Sequence, residues 1–522
     1  MPIMTSQDNA AVEAIPAPKL AVRTLGALAA VKLLLHLVAI NQYGYFRDEL
    51  YYLASTEHLD WGYVDHPPLS IAILAVVRAV LGNSLVAVRI LPVLAGVMTI
   101  FLVGLITRRL GGGGFAQGLA ALCALMSPVF LGQDRYFSMN AFDLLFWTLA
   151  TWILVCALDG GGAWHWVALG TVIGLGLLNK ISMLWFGAGL FVGLILTPHR
   201  RVLLRIGPWL AGGIAGALFL PYVFWEVQHG WPTLEFMRNA TARKMVDVSP
   251  LSFLLGQVLD MNPGSLPVWV AGILFGLFSR GGRRWRVLVW IYLTVLAILI
   301  ASGRSRASYL AVAYPMLLAL GGVALERLSS PSGRRWLRPA LAVLVSGLGL
   351  VAVPMALPVL PVETFLRYQA ALGLSPHTEE RHEMGLLPQH YADMFGWDEL
   401  VALVAKAHGQ LTQGERLRCR VFGQNYGEAG AVDVLGRKLG LPRALSGHNS
   451  YWLWGPGNDD WDVLIIIGGD REDNAEFFED IEIVGQTHSP WSMPYERGLD
   501  VSIARRPKIT IREAWPRLKR FI

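Results

Sequence analysis

The sequence predicts a polytopic α-helical membrane protein of about eleven transmembrane helices, followed by a C-terminal α/β domain outside the membrane. Three observations lead there. First, 54% of the 522 residues are hydrophobic and only 16% are charged, where a soluble domain carries roughly 25%. Second, apolar stretches near spanning length recur up to residue 358 and then stop. Third, Arg and Lys gather in alternate connecting loops. The 19 Trp and 55 Gly agree with this class, because Trp anchors membrane interfaces and Gly is common in membrane helices. The formal charge of +6 is modest, and nothing in its placement suggests a nucleic-acid partner.

Taken in order, residues 1–19 read as a polar, acidic tail, and 20–40 as an uncleaved first helix, since no small-residue cleavage site follows it. Further apolar windows cover 85–107, 115–131, 141–158, 163–178, 183–197, 206–225, 252–278, 287–302, 307–325 and 339–358. Several are short and need partners or a thin bilayer. The loops with Arg108 and Arg109, with Arg200, Arg201 and Arg205, with Arg280, Arg283, Arg284 and Arg286, and with Arg327, Arg334, Arg335 and Arg338 fall on one side. The positive-inside rule makes that side, and the N-terminus, cytoplasmic. Residues 359–522 then lie outside. The segment 70–82, SIAILAVVRAVLG, is too short to span without reversing this pattern, so it reads as a helix along the outer surface. An ordinary span or a re-entrant piece is the alternative. Beyond 358, RCRVFGQ, EAGAVDVLGRKLG and WDVLIIIGGD read as strand, helix and strand. VFGQNYGEAG lacks both GxGxxG and a Walker lysine, so a nucleotide loop is a weak reading.

The outer loop 41–84 carries the informative residues. YGYFRDELYYLA sets Asp48 and Glu49 beside Arg47, among Tyr43, Tyr45, Phe46, Tyr51 and Tyr52. Carboxylates at a membrane boundary are costly unless paired or used. GYVDHPPL adds Asp65 and His66 ahead of two prolines, which suit a helix start. SPVFLGQDRYFSMNAFD holds Asp134, Arg135, Asn140 and Asp143, and GLGLLNKIS holds Lys180. Arg243, Lys244, Arg304 and Arg306 are further cations on the same side. Simpler readings exist for several: Asp143 could cap its helix, Lys180 could snorkel, and Glu49 could pair with Arg47 or with a basic residue from another loop. Cations near a membrane acid suit an anionic lipid, since Arg grips phosphate with a planar fork and Lys acts as a point charge. The three cysteines form no framework, and no Cys/His cluster suggests zinc.

Together, the Asp-Glu pair, GYVDHPPL, SPVFLGQDRYFSMNAFD and GLGLLNKIS resemble the membrane glycosyltransferases of the dolichyl-phosphate-mannose–protein mannosyltransferase superfamily over roughly residues 20–325. The bacterial branch of that superfamily includes the lipid A aminoarabinose transferases. The resemblance implies a GT-C-type fold. It also implies transfer of a sugar from a polyprenyl-phosphate carrier to a lipid, glycan or protein hydroxyl, on the outer face of the cytoplasmic membrane. Carried over, Asp48 is the general base with Glu49 beside it, and which of the two dominates is open. A phosphate leaving group is a weak base and needs no general acid, so one carboxylate suffices, with inversion at the sugar carbon. Lys180, Arg304 and Arg306, in that order, are candidates to steady the departing phosphate, with Arg135 and Arg243 behind them. Asp65, His66, Asp143 and Tyr52 complete the substrate-binding set. A groove beside 70–82 could take the prenyl tail. No cofactor is certain; loop acids could hold a divalent metal, but their spacing matches no ligand pattern. In the tail, Tyr426, Glu428, His448, Asn449 and Trp452 are acceptor-contact candidates, with Trp452 and Trp454 as stacking platforms. The rival reading is a transporter of a lipid-linked or small anionic solute. Against it, the acids gather at one interface rather than at the midplane.

Overall fold

The computed structural model describes residues 18–376, 378, 380–457 and 461–522. The sequence-predicted tail 1–19 therefore lies almost wholly outside the described residues. The first helix is α1 (Val22–Ala39). Two short helices, α2 (Arg47–Ser55) and α3 (Leu69–Leu81), fill the expected first loop, and α3 coincides with the segment assigned to the membrane surface. The bundle continues with α4 (Leu85–Arg109), α5 (Gly114–Leu125), α6 (Pro128–Gln133), α7 (Met139–Leu158), α8 (Ala163–Asn179) and α9 (Met183–Ile195). It closes with α10 (Ile206–Gln228), α11 (Pro232–Asn239), α12 (Pro250–Asp260), α13 (Leu266–Phe278), α14 (Arg286–Ser302), α15 (Tyr314–Leu328) and α16 (Leu337–Ala356).

Among the described residues, seven helices are long and apolar enough to cross a membrane: α1, α4, α7, α10, and those ending at Ser302, Leu328 and Ala356. Helices α5, α8 and α9 are apolar but shorter. The window 252–278 is not one straight span: α12 and α13 meet at 94°. The break is at Asn262, whose φ is +70° and whose side chain accepts from the Gly264 amide at 2.9 Å. The window 115–131 is likewise divided at Pro128, which opens α6.

The buried axis of the bundle is the stretch Ala307–Leu328, 83% of it enclosed, whereas α1, α10 and α16 are each only 28% enclosed and face outward. Helix α13 lies against α15 through Gly272 and Gly321, where an added Cβ would meet the Leu317 and Val268 carbonyl oxygens at 2.3 and 1.9 Å. Small residues give such contacts because apolar attraction between helices is weak within lipid. A buried pair, Lys32 Nζ to Asp134 Oδ2 at 2.7 Å, ties α1 to the residue after α6.

The C-terminal part begins with α17 (Val362–Ala371), α18 (Gln389–Ala392), α19 (Trp397–Gln410) and α20 (Gln413–Leu417). Then follow β1 (Cys419–Gly423), α21 (Tyr426–Leu435), β2 (Ala444–Leu445), α22 (Ser450–Trp454) and β3 (Val463–Ile467). The chain ends with α23 (Arg471–Phe477), β4 (Phe478–Gln486), β5 (Asp500–Pro507) and α24 (Ile511–Ala514). The sheet order is β2-β1-β3-β5-β4; β1 runs parallel to β2 and β3, while β5 is antiparallel to β3 and β4. The VLIII of β3 is buried on both faces, as a central strand requires. The strand–helix–strand order read from RCRVFGQ, EAGAVDVLGRKLG and WDVLIIIGGD is present as β1, α21 and β3.

Candidate active site

Asp48 and Glu49 fall in the first turn of α2, where carboxylates suit the helix dipole. Adjacent helical residues point roughly 100° apart, so the pair diverges. Glu49 turns inward and is fully buried. Its Oε2 accepts from Arg89 Nη2 at 2.8 Å and from the Phe46 amide at 2.9 Å. Its Oε1 accepts from Arg89 Nε at 3.0 Å and from the Phe137 amide at 2.9 Å. Arg89 in turn donates to the carbonyls of Ile40 and Gly44. The structure thus separates the expected Asp-Glu pair: Glu49 is closed into an ion pair that joins α2, α4 and the Phe137 segment, with donors on both of its oxygens.

Asp48 turns the other way, with about a third of its side chain exposed. Its Oδ1 accepts from the Tyr426 hydroxyl at 2.9 Å, and Arg47 Nε stands 3.9 Å away. It lines a cleft of about 510 Å³ with Phe46, Tyr136, Lys244, Arg306, Glu380 and Asp393. A second cavity of about 310 Å³ holds Lys180, Asp143, Arg135 and Gln133. The two share Tyr136, Asn140, Asp260, Arg306, Ser308, Met355 and His390 in their linings.

The cations divide. Lys180 sits just past the C-terminus of α8, where its Nζ donates to Asn140 Oδ1 at 2.8 Å, lies 3.5 Å from Asp143 and stands over the Tyr309 ring. Asp143, buried and bonded to the Ser182 hydroxyl, is the counter-charge for Lys180. Arg306 lines both cavities and pairs with Glu380. Arg135 is nearly buried and donates to the carbonyls of Ala356 and His390, each at 2.7 Å, stacked over Tyr391. It borders the second cavity but is committed to holding α16 and α18.

Arg304 and Arg243 line neither cavity. Arg304 is bound to Asp247 at 2.7 Å and to the Thr241 carbonyl, and Arg243 is exposed. The last turn of the α11 segment widens into a π-turn over 240–244, which presents the next residue, Lys244, to the cleft instead. Lys244 lies 3.4 Å from Glu380. Burial, then the neighbouring charges of Arg47 and Arg306, lowers its pKa to about 8.

Tyr52, on α2, and Asp65 and His66, which follow it in the same loop, line neither cavity. His66 is buried, its Nδ1 at 3.0 Å from the Pro67 carbonyl and its ring against Tyr52 and Tyr63. Asp65 accepts from the Tyr51 hydroxyl at 2.8 Å, and burial raises its carboxyl above the usual range, with His66 opposing. Tyr52 packs between His66 and Phe137.

The C-terminal part supplies groups that the sequence left unresolved. Tyr426 opens α21, capped by the Asn425 side chain. The Asn425 amide also bridges two buried carboxyls, Glu428 at 2.7 Å and Glu496 at 2.9 Å. Burial raises both, Glu496 to about 7. Asp393, raised by burial with Arg47 opposing, accepts from the Tyr495 hydroxyl and closes the cleft. Glu428, His448, Asn449, Trp452 and Trp454 line neither cavity: Trp454 stacks on His58, and Trp452 exchanges hydrogen bonds with Trp515. Among the described residues no group of three or more His, Cys, Asp or Glu side chains is set to hold a metal ion.

Residues 65–225 match the family described as dolichyl-phosphate-mannose-protein mannosyltransferase. An undecaprenyl phosphate-alpha-4-amino-4-deoxy-L-arabinose arabinosyl transferase 2 of Pseudomonas fluorescens is 25% identical over 52% of this chain and 49% of its own length. The lipid A galacturonosyltransferase RgtD of Rhizobium johnstonii is 23% identical over 60% of this chain and 66% of its own. The matched stretch thus spans from half to just under two thirds of these relatives. The crystal structure of ArnT from Cupriavidus metallidurans bound to undecaprenyl phosphate superimposes with a TM-score of 0.59 at 14% identity, over 92% of this chain and 98% of ArnT. The chain is a multi-pass membrane protein with the GT-C fold of ArnT, and over residues 65–225 it is similar to the dolichyl-phosphate-mannose–protein mannosyltransferases.

Proposed function

We propose that the protein is an inverting glycosyltransferase that moves a sugar from a polyprenyl-phosphate carrier to an acceptor hydroxyl on a lipid, glycan or protein. The reaction would occur on the outer face of the cytoplasmic membrane, with the N-terminus cytoplasmic and the C-terminal part outside. The observation that supports the reading is the shared lining: the Asp48 carboxylate and the Lys180 ammonium border two neighbouring cavities that have Asn140, Asp260 and Arg306 among their common walls. The family match begins at residue 65, so the role of Asp48 rests on this geometry and on the resemblance of its loop.

In this reading, the donor phosphate lies by Lys180 and Arg306, with Lys244 across the cleft. The acceptor hydroxyl attacks the sugar carbon from the side opposite the phosphate. Asp48 takes the hydroxyl proton as the carbon–oxygen bond to the phosphate breaks, and the cations balance the second negative charge that develops on the departing polyprenyl phosphate. Glu49, held by Arg89, fixes the start of α2 and takes no proton.

The test uses full-length protein in lipid nanodiscs with three polyprenyl-phosphate donors, bearing 4-amino-4-deoxy-L-arabinose, galacturonic acid or mannose, and lipid A or a protein as acceptor. The wild type should transfer at least one sugar with inverted anomeric configuration. Asp48→Asn should lower kcat roughly 10²- to 10⁴-fold while undecaprenyl phosphate still binds. Transfer by Asp48→Asn at the wild-type rate, or a product of retained configuration, would overturn the assignment.

A further inference from the structure

We propose that Tyr426, contributed by the C-terminal part of the chain, is a positioning residue for transfer: its phenol holds Asp48 at the cavity edge in the orientation that leaves the other carboxylate oxygen to the acceptor. The inference rests on the reading of Asp48 as the base.

Among the described residues, the Tyr426 hydroxyl is the one hydrogen-bond donor to the Asp48 side chain, and it engages Oδ1 at 2.9 Å. Oδ2 is left for an acceptor hydroxyl. A carboxylate on a side chain with two free torsions samples several orientations; one donor anchored elsewhere selects among them. Tyr426 is anchored from four directions. Its ring stacks on Tyr51 with centroids 4.7 Å apart, and the Arg47 guanidinium lies 5.2 Å from the ring centroid. Its amide donates to His448 Nδ1 at 3.4 Å, and burial keeps that imidazole neutral, with a pKa of about 3, so that Nδ1 can accept. The Asn425 cap fixes the turn in which it lies.

The packing between α2 and α21 is built for this contact. A Cβ on Gly427 would meet Arg47 Cγ at 2.4 Å, and one on Gly430 would meet the Leu50 carbonyl carbon at 2.9 Å. Two glycines three residues apart on α21 let the helix lie directly on the turn that bears Asp48. Burial, reinforced by the negative charge of Asp48, keeps the phenol protonated well past neutral pH, against the opposing pull of Arg47. It is therefore a permanent donor to the carboxylate it touches.

A purely structural Tyr426 would alter folding or substrate affinity and leave the pH dependence of the chemistry alone. The discriminating measurement is the pH profile of kcat/KM for the donor that proves active, with full-length protein in nanodiscs. Tyr426→Phe should lower kcat roughly 10- to 100-fold, leave donor KM within about twofold, and move the acid limb to higher pH. Replacing Tyr426 with 3-fluorotyrosine keeps the shape of the residue and makes the phenol a stronger donor, so the acid limb should move to lower pH. That variant carries the test if the phenylalanine variant fails to fold. If Asp48→Asn abolishes transfer but both Tyr426 variants keep the wild-type profile, the inference is wrong while the base assignment stands. If Asp48→Asn transfers normally, the base assignment itself falls and takes this inference with it.

Discussion

A carboxylate serves as a base only through an oxygen that can face the acceptor, and Glu49 has none: Arg89, the Phe46 amide and the Phe137 amide occupy both. Removing its charge leaves a buried guanidinium unpaired. Glu49→Gln should destabilise the protein by about 3–5 kcal/mol, visible as a lower Tm in detergent, whereas Asp48→Asn, at a partly exposed site, should leave Tm nearly unchanged. Equal Tm for Glu49→Gln and wild type would show that the pair contributes little. Lys244 offers a second residue-scale prediction. Its folded pKa is lowered to about 8, so it is charged below that pH and loses its charge as pH rises through it. If it attracts the donor phosphate, undecaprenyl phosphate should bind more weakly at pH 9.5 than at pH 7.5, by up to roughly tenfold. In Lys244→Arg, which stays charged, the decline should vanish. An identical decline in that variant would place the titrating group elsewhere.

At the scale of elements, α2 and α21 act together although 378 residues separate Asp48 from Tyr426. Gly430→Val would drive a branched side chain into the Leu50 backbone. It should cost about 1–3 kcal/mol of stability and depress kcat more than donor KM, as measured by thermal melting and steady-state kinetics. A variant with wild-type kcat would mean that the two helices need not touch. This contact also marks the limit of what the sequence shows. Long apolar windows, the amphipathic 70–82 segment and the strand–helix–strand of the tail are legible because each is a local pattern of hydrophobicity. The α12–α13 bend had a local trace that the apolar window 252–278 overran: DMNPGS, residues 260–265, breaks the apolar run, and its Asn-Pro and Pro-Gly pairs favour a turn, while the left-handed φ of Asn262 shows only in the fold. The choice of Lys244 over Arg243 was not legible: a π-turn rotates the register by one residue, and only the fold reveals it. The partner of Glu49, Arg89, was not singled out: the sequence offered Arg47 or some basic residue from another loop, because ion pairs between distant segments have no local signature. Tyr426 was visible as a candidate but indistinguishable from a core aromatic until its hydroxyl met Asp48.

Across the whole molecule, charge is sorted to the two ends of the bundle. One end is basic and internally tied: Arg109 and Arg284 both pair with Asp159, His199 approaches the Arg284 carbonyl, and Glu326 accepts from the amides of Gly113 and Ala116. The other end carries Asp48, Lys180, Lys244 and Arg306 together with the C-terminal part, whose α21 supplies Tyr426. Cytoplasmic loops are enriched in Arg and Lys, so the first end should face the cytoplasm and the cavity should open outside, where lipid-linked sugars presented on that face can reach it. The three native cysteines are buried, which permits single reporter cysteines at exposed positions. Glu476→Cys, on α23, should react with a membrane-impermeant maleimide in intact cells, while Arg201→Cys, in the basic loop, should react only after permeabilisation. The reverse pattern would turn the cavity toward the cytosol. The protein would then need a carrier lipid loaded on the inner leaflet, and the proposed direction of transfer would fail even if Asp48 and Tyr426 behaved as expected.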